Sequence, residues 1–209
     1  MTPEPILLIG AGGHASACID VIEQEARYRI AGLVGTGAEL NSIHLGYSVI
    51  GTDEELAGLF RSIPSALITV GQIQSPTLRM RLFEQVAGIG FQFPTIVAPT
   101  AYVSKHAQVG PGSIVMHGAV VNAGARVGKN CIVNSRALIE HDAVVGDHCH
   151  ISTGAILNGN VCLGDGCFAG SSSVFRHGVQ VGPNCVIGMG VVVRRDLAGY
   201  STLKGDLLK

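Results

Sequence analysis

From Thr95 to Arg195 the apolar residues return every six positions without losing phase. Stepping by six from Val97 to Val193 passes seventeen positions, and only Ala169 and Phe175 are not Val, Ile or Leu. Two residues before each aliphatic position stands a small residue in most hexads, among them Ala119, Ala125, Ala137, Ala143 and the column Cys131, Cys149, Cys167 and Cys185. Gly often follows the aliphatic position, as at 110, 128, 146, 164 and 170. An α-helix cannot keep such a period on one face, because six residues turn it through about 600°. Short strands joined by tight turns can: alternation sends the aliphatic residue inward, the small residue fits a corner, and Gly supplies the turn. Three hexads close one triangular coil, and coils stack at ~4.8 Å. The repeat predicts a parallel β-helix over residues 95–195.

Before it, residues 1–94 alternate apolar runs with amphipathic ones, which predicts a small Rossmann-like parallel sheet with helices. Ile6-Leu-Leu-Ile9 reads as a buried strand, Ser16–Ala26 as a helix, Arg29–Val34 as a second strand and Gly51–Arg61 as a short helix. Ala66–Val70 reads as a third strand and Ser75–Gly88 as a helix with Pro76 in its first turn. Between the first strand and its helix, Gly10-Ala-Gly-Gly-His-Ala15 fits G-x-G-x-x-A, a turn whose backbone amides approach an anion at a helix N-terminus. A dinucleotide site wants an acidic residue at the end of the second strand, where this chain has Gly35-Thr36, so NAD is disfavoured. Residues 196–209 are expected to leave the repeat and cap it.

With 209 residues, 47% hydrophobic and 14% charged, the chain has ample core for these two parts and no apolar run long enough for a membrane span. A net charge of −1 and the lack of a basic stripe give no reason to expect nucleic acid as a partner. No basic stretch followed by an apolar one opens the chain, so a cytoplasmic protein is expected. The stacked cysteines read as small buried fillers with free thiols, and without C-x-x-C no structural zinc is expected.

Between Asn134 and Gly159 the repeat admits polar residues that packing does not require: Asn134, Arg136, Glu140, His141, Asp142, His148, His150 and Asn158. A His beside carboxylates suits a general base, since one carboxylate can hold the second ring nitrogen and stabilise the imidazolium. His141, with Asp142 as partner, is the expected base; His44, His106, His117 and His177 read as surface residues. A zinc-dependent carbonic anhydrase on this fold needs a His pair five residues apart, which the chain lacks. A bare scaffold would leave the polar cluster unexplained.

The run Asn134-Ser-Arg-Ala-Leu-Ile-Glu-His-Asp142, followed by His150-Ile-Ser-Thr-Gly-Ala155 and Asn158-Gly159, resembles the hexapeptide-repeat sugar acetyltransferases. These include the sialic acid O-acetyltransferases and the N-acetyltransferases of UDP-4-amino-4,6-dideoxy sugars. Gly10–Ala15 and Gly71–Arg79 are similar to the sugar-nucleotide domain of the same group. The resemblance implies a left-handed β-helix, acetyl-CoA as co-substrate, no metal, and a homotrimer with active sites between neighbouring prisms. It implies His141 and Asp142 as catalytic residues. Asn134, His150, Gly159 and Gly170 would meet acetyl-CoA, and Gly10, Gly12, Gly13, His14 and Arg79 the sugar nucleotide. The expected reaction is N-acetylation of a UDP-4-amino-4,6-dideoxy sugar in a bacterial surface-glycan or nonulosonic acid pathway. The alternative is O-acetylation of a sialic acid. Two departures stand out: Gly35-Thr36 replaces the Asp pair that relatives set against the nucleotide base, and the tail lacks the Gly-x-Pro-Ala that relatives place near adenine.

Overall fold

The computed structural model describes residues 3–205 and divides the chain into two compact units. The first comprises residues 1–71 and 77–99, the second 72–76 and 100–209. Residues 206–209 of the expected cap lie outside the described part.

In the first unit, β1 (Glu4–Ile9), β2 (Tyr28–Val34), β4 (Tyr47–Gly51) and β5 (Ser65–Ile68) form a parallel sheet, and β3 (Ile43–His44) pairs antiparallel with β4. The order is β3-β4-β2-β1-β5. The apolar run Ile6–Ile9 lies on an interior strand, between β2 and β5, and is fully buried. Helix α1 (Gly13–Glu25) begins three residues before the sequence expectation, α2 (Leu56–Leu59) is a single turn and α3 is Thr77–Ile89. The β3–β4 hairpin was not expected; it turns through Leu45-Gly46, both at positive φ. The chain leaves β1 for β2 and β4 on one side and returns to β5 on the other, so the carboxyl end of β1 is a topological switch point. Within this unit Val97 N–H donates to Glu25 and Arg27 donates to the Thr95 carbonyl.

The second unit is the expected left-handed parallel β-helix. Each coil gives one two-residue strand to each of three faces. The first face stacks six strands from Tyr102–Val103 to Val192–Val193, and the second stacks five from Gln108–Val109 to Gln180–Val181. The third runs from Ile114–Val115 through Val186–Ile187 to Thr202–Leu203. Pairing keeps an 18-residue register, as in Val121 with Ile139 and Ile139 with Leu157. Val121, Val133, Ile139, Ile151 and Leu157 are wholly buried, and each such side chain contributes ~1.5–3 kcal/mol of transfer free energy. The six cysteines are free thiols. Beyond Val193 the chain does not leave the ladder: Leu197 bridges Val181 and Thr202–Leu203 pairs with Val186–Ile187, extending two faces in a shortened coil. Among the described residues no helix is long and apolar enough to cross a membrane.

Candidate active site

The first unit holds a cavity of about 540 Å³ at its topological switch point. It is lined by the residues that follow β1, β2 and β4 (Gly10–Gly12, Gly35–Gly37 and Thr52–Glu54) together with Val70, Leu78 and Arg81. Gly10 turns at φ +118, and a Cβ there would lie 2.5 Å from Val70 Cγ2, so no other residue can make this turn. Gly12 caps α1 without a side-chain hydrogen bond, and the first turn carries no acidic residue. The positive end of a 13-residue helix thus meets the cavity unopposed.

Of the residues expected at the sugar nucleotide, Gly10 and Gly12 line this cavity, whereas Gly13, His14 and Arg79 do not. His14 Nε2 lies 3.4 Å from Cys18 Sγ. Arg79 is 1% exposed, and its guanidinium donates to the carbonyls of Ile68 and Val70, bracing the end of β5. The adjacent Cys18 thiol is pushed up to about 12 by burial, which outweighs the opposing charge of Arg79. Arg81, which sequence reasoning passed over, is the arginine on the cavity wall.

In the second unit, His141 and Asp142 occupy the corner between the first and second faces. Asp142 holds φ +59, the left-handed conformation that short polar residues tolerate. Its Oδ2 lies 3.0 Å from His141 Nδ1. A carboxylate only accepts, so Nδ1 carries the proton and Nε2 is left basic. Glu140 fixes the His141 backbone from behind: its Oε2 accepts from His141 N–H and from Asn122 Nδ2, each at 3.0 Å. Gly159 lies one coil further on, and a Cβ there would sit 2.6 Å from His141 Nε2. Its N–H meets no acceptor among the described residues, which leaves a donor beside His141 Nε2. His177, two coils on, brings its ring centroid within 6.2 Å of the His141 ring. Sequence reasoning placed it on an anonymous surface, although its spacing of two coils from His141 was legible.

Asn134 and His150 meet each other, but on the third face rather than beside His141. His150 Nδ1 is 2.6 Å from the Gln72 carbonyl and therefore donates; its Nε2 accepts from Asn134 Nδ2 at 3.3 Å. Asn134 Oδ1 takes the Ser135 amide. The neutral His150 ring consequently has no N–H left for an oxyanion. Gln72 Nε2 in turn donates to the Gly166 carbonyl, so residues 72–76 strap onto this face. Gly170 lines a groove of about 640 Å³ there with Phe168, Gly188 and Met189. One coil thus carries His141–Asp142 at one corner and Asn134 at another, a strand and its turns apart. Among the described residues no group of three or more His, Cys, Asp or Glu could hold a metal.

Two family models match the chain: the PglD N-terminal domain over residues 5–86 and the bacterial transferase hexapeptide repeat over residues 160–195. Among solved structures, the acetyltransferase domain of PglB from Neisseria gonorrhoeae, in complex with acetyl coenzyme A, is 31% identical over 97% of each chain, with a TM-score of 0.88. This chain belongs to the hexapeptide-repeat sugar acetyltransferases with a PglD N-terminal domain. Another similar member of the family, PerB from Caulobacter crescentus, was solved with CoA and GDP-perosamine. It is 28% identical over 96% of this chain and 94% of its own, with a TM-score of 0.83. WeeI from Acinetobacter baumannii, 20% identical with a TM-score of 0.84, shares the fold. No curated protein sequence matches the chain.

Proposed function

We propose that this acetyltransferase moves the acetyl group of acetyl-CoA onto the primary amine of a nucleotide-linked 4-amino-4,6-dideoxy sugar, with His141 as general base. The observation that carries the reading is the contact of His141 Nε2 with Gly159, a base whose second nitrogen is held by Asp142 and whose free nitrogen adjoins an unused backbone donor. The solved relatives bound to acetyl coenzyme A, and to CoA with GDP-perosamine, support the donor and an amine acceptor. The sequence resemblance names UDP as the carrier and the surface-glycan or nonulosonic acid pathways as the setting.

The chemistry follows from the placement. The amine lone pair attacks the thioester carbonyl carbon, and the carbonyl π pair becomes an oxyanion facing the Gly159 N–H. A pre-set donor of this kind is worth about 2.7–4 kcal/mol. Collapse breaks the C–S bond and releases the CoA thiolate. His141 Nε2 accepts the surplus proton of the attacking nitrogen, Asp142 stabilises the imidazolium, and the proton passes to the thiolate. The reaction yields the amide and CoA thiol without an outside acid or base.

The separation of Asn134–His150 from His141–Asp142 supports a trimer in which one chain's corner faces the neighbour's third face. Six free cysteines fit a cytoplasmic setting. Arg176, Arg194 and Arg195 support the direction of the donor. Arg195 stands three coils beyond His141 in the same column, roughly 14 Å at the coil spacing. The about thirteen bonds from the CoA sulfur to its first phosphorus span roughly 16 Å when extended. None of the ion pairs among the described residues involves these arginines, so their charge is unspent. General-base assistance gives ~10²–10⁴ in rate, so His141→Ala should lose about that much kcat with acetyl-CoA binding retained. Turnover near the parent's would remove His141 from the mechanism.

A further inference from the structure

We propose, on the acetyl-transfer reading above, that His177 is a second catalytic imidazole, which gives the departing CoA thiolate its proton and is recharged by His141.

His141, Gly159, His177 and Arg195 follow one another up a single corner column of the β-helix, one per coil. The backbone rungs between them are closed: the Asn160 amide donates to the His141 carbonyl at 3.1 Å, and the Gly178 amide to the Gly159 carbonyl at 3.0 Å. On this fixed ladder the two imidazole centroids stand 6.2 Å apart, with their planes inclined at 45°. Gly159 keeps the gap between them open, since a Cβ there would lie 2.6 Å from both Cε1 and Nε2 of His141. Asp142 occupies His141 Nδ1, whereas His141 Nε2 and both ring nitrogens of His177 have no hydrogen-bond partner among the described residues. Two hydrogen bonds in series through one water span roughly 6 Å, which matches the separation of the rings. The other charged groups of this corner cannot do the same work. Glu140 is taken by the His141 amide and Asn122, and Asp196 accepts from the Gln180 amide. Arg176 and Arg195 keep their protons.

The amine, the oxyanion and the sulfur leave the tetrahedral carbon in different directions, so a base placed at the amine is not also placed at the sulfur. With the amine at His141 Nε2, the oxyanion at the Gly159 N–H and the donor running toward Arg195, the sulfur falls on the His177 side of Gly159. A neutral imidazole carries one N–H and one lone pair, so it can give a proton at one nitrogen while it takes one at the other. As the C–S bond breaks, its electron pair stays on sulfur, the N–H bond of His177 breaks and an S–H bond forms. The other nitrogen of His177 receives, through the bridging water, the proton that His141 Nε2 took from the amine. Both rings end neutral. His177 ends in the opposite tautomer, and exchange with solvent at this exposed ring restores the first.

The test varies the leaving group. His177→Gln in the full chain, assayed with acetyl-CoA and a UDP- or GDP-linked 4-amino-4,6-dideoxy sugar, should lose ~10²-fold in kcat with KM for acetyl-CoA within about twofold. The acetyl thioester of nitrothiophenol releases a more acidic thiol, whose thiolate departs without a proton. With it the parent and His177→Gln should turn over at the same rate, while His141→Ala stays impaired because the amine still needs its base. An equal loss in His177→Gln with both thioesters, a loss confined to KM for acetyl-CoA, or no loss at all would overturn the assignment of His177 and leave acetyl transfer standing. Absence of thiol release by the parent with either nucleotide-linked amine would remove both.

Discussion

His141 lies over Gly159, its Nε2 2.6 Å from where a Cβ on that glycine would stand. The His141 ring can occupy its position only because the next coil offers bare backbone there. Gly159→Ala should therefore displace the ring and lower kcat roughly 10²-fold or more, near the range for losing a positioned base. The His141 side chain is half exposed and free to swing aside, so the thermal midpoint should move little. Kinetics alongside a melting curve check this; a variant that melts early with kcat intact would make Gly159 structural only.

Asp142 holds the tautomer of His141. Asp142→Asn retains the size but removes the charge that favours the imidazolium, so kcat should fall ~10²-fold or more while KM for acetyl-CoA stays within about twofold. The double variant His141→Ala/Asp142→Asn separates positioning from general disruption: it should be no slower than His141→Ala alone. A further loss would count against the His141–Asp142 coupling.

A site divided over two corners can be complemented. Asn134→Ala and His141→Ala should each be nearly inactive alone. Mixed after mild denaturation and refolding, they should recover a substantial fraction of parental activity, because some interfaces pair an intact His141 with an intact Asn134. No recovery from mixed subunits, with mixing verified by mass spectrometry, would place both groups in one chain's site and contradict the trimeric arrangement.

Arg194 and Arg195 should matter for the far end of the donor. The double change Arg194→Gln/Arg195→Gln should raise KM for acetyl-CoA about tenfold and leave KM for acetyl-pantetheine, which lacks the nucleotide, unchanged. Equal effects on both thioesters would remove the phosphates from that corner.

The β-helix was open to sequence reading because each hexad repeats one physical constraint, an aliphatic residue inward and a small one at the corner, seventeen times over. His141 and Asp142 were legible for the same reason: polar residues interrupt a pattern that has no structural use for them. Arg79 lies in the core rather than on the cavity lining, and a signal for that was present. With Leu82, Phe83 and Val86 it falls at i, i+3, i+4 and i+7, the buried stripe of α3, whereas Arg81 falls outside that stripe and reaches the cavity. The β3–β4 hairpin escaped notice because Leu45, a residue with little turn preference, takes a left-handed conformation there. The strap of residues 72–76 on the third face, and with it the occupied Nδ1 of His150, depends on contacts far apart in the chain. No local pattern encodes them.

The most direct test of the central claim is thiol release from acetyl-CoA, followed against a nucleotide-linked 4-amino-4,6-dideoxy sugar, its 4-hydroxy analogue and a free sialic acid, for the parent and for His141→Ala. The account predicts one thiol released per acetamide formed, with the amine alone as acceptor, and a loss of ~10²–10⁴ in the variant. Release with the sialic acid or the hydroxy analogue in place of the amine, or an unimpaired His141→Ala, would contradict it.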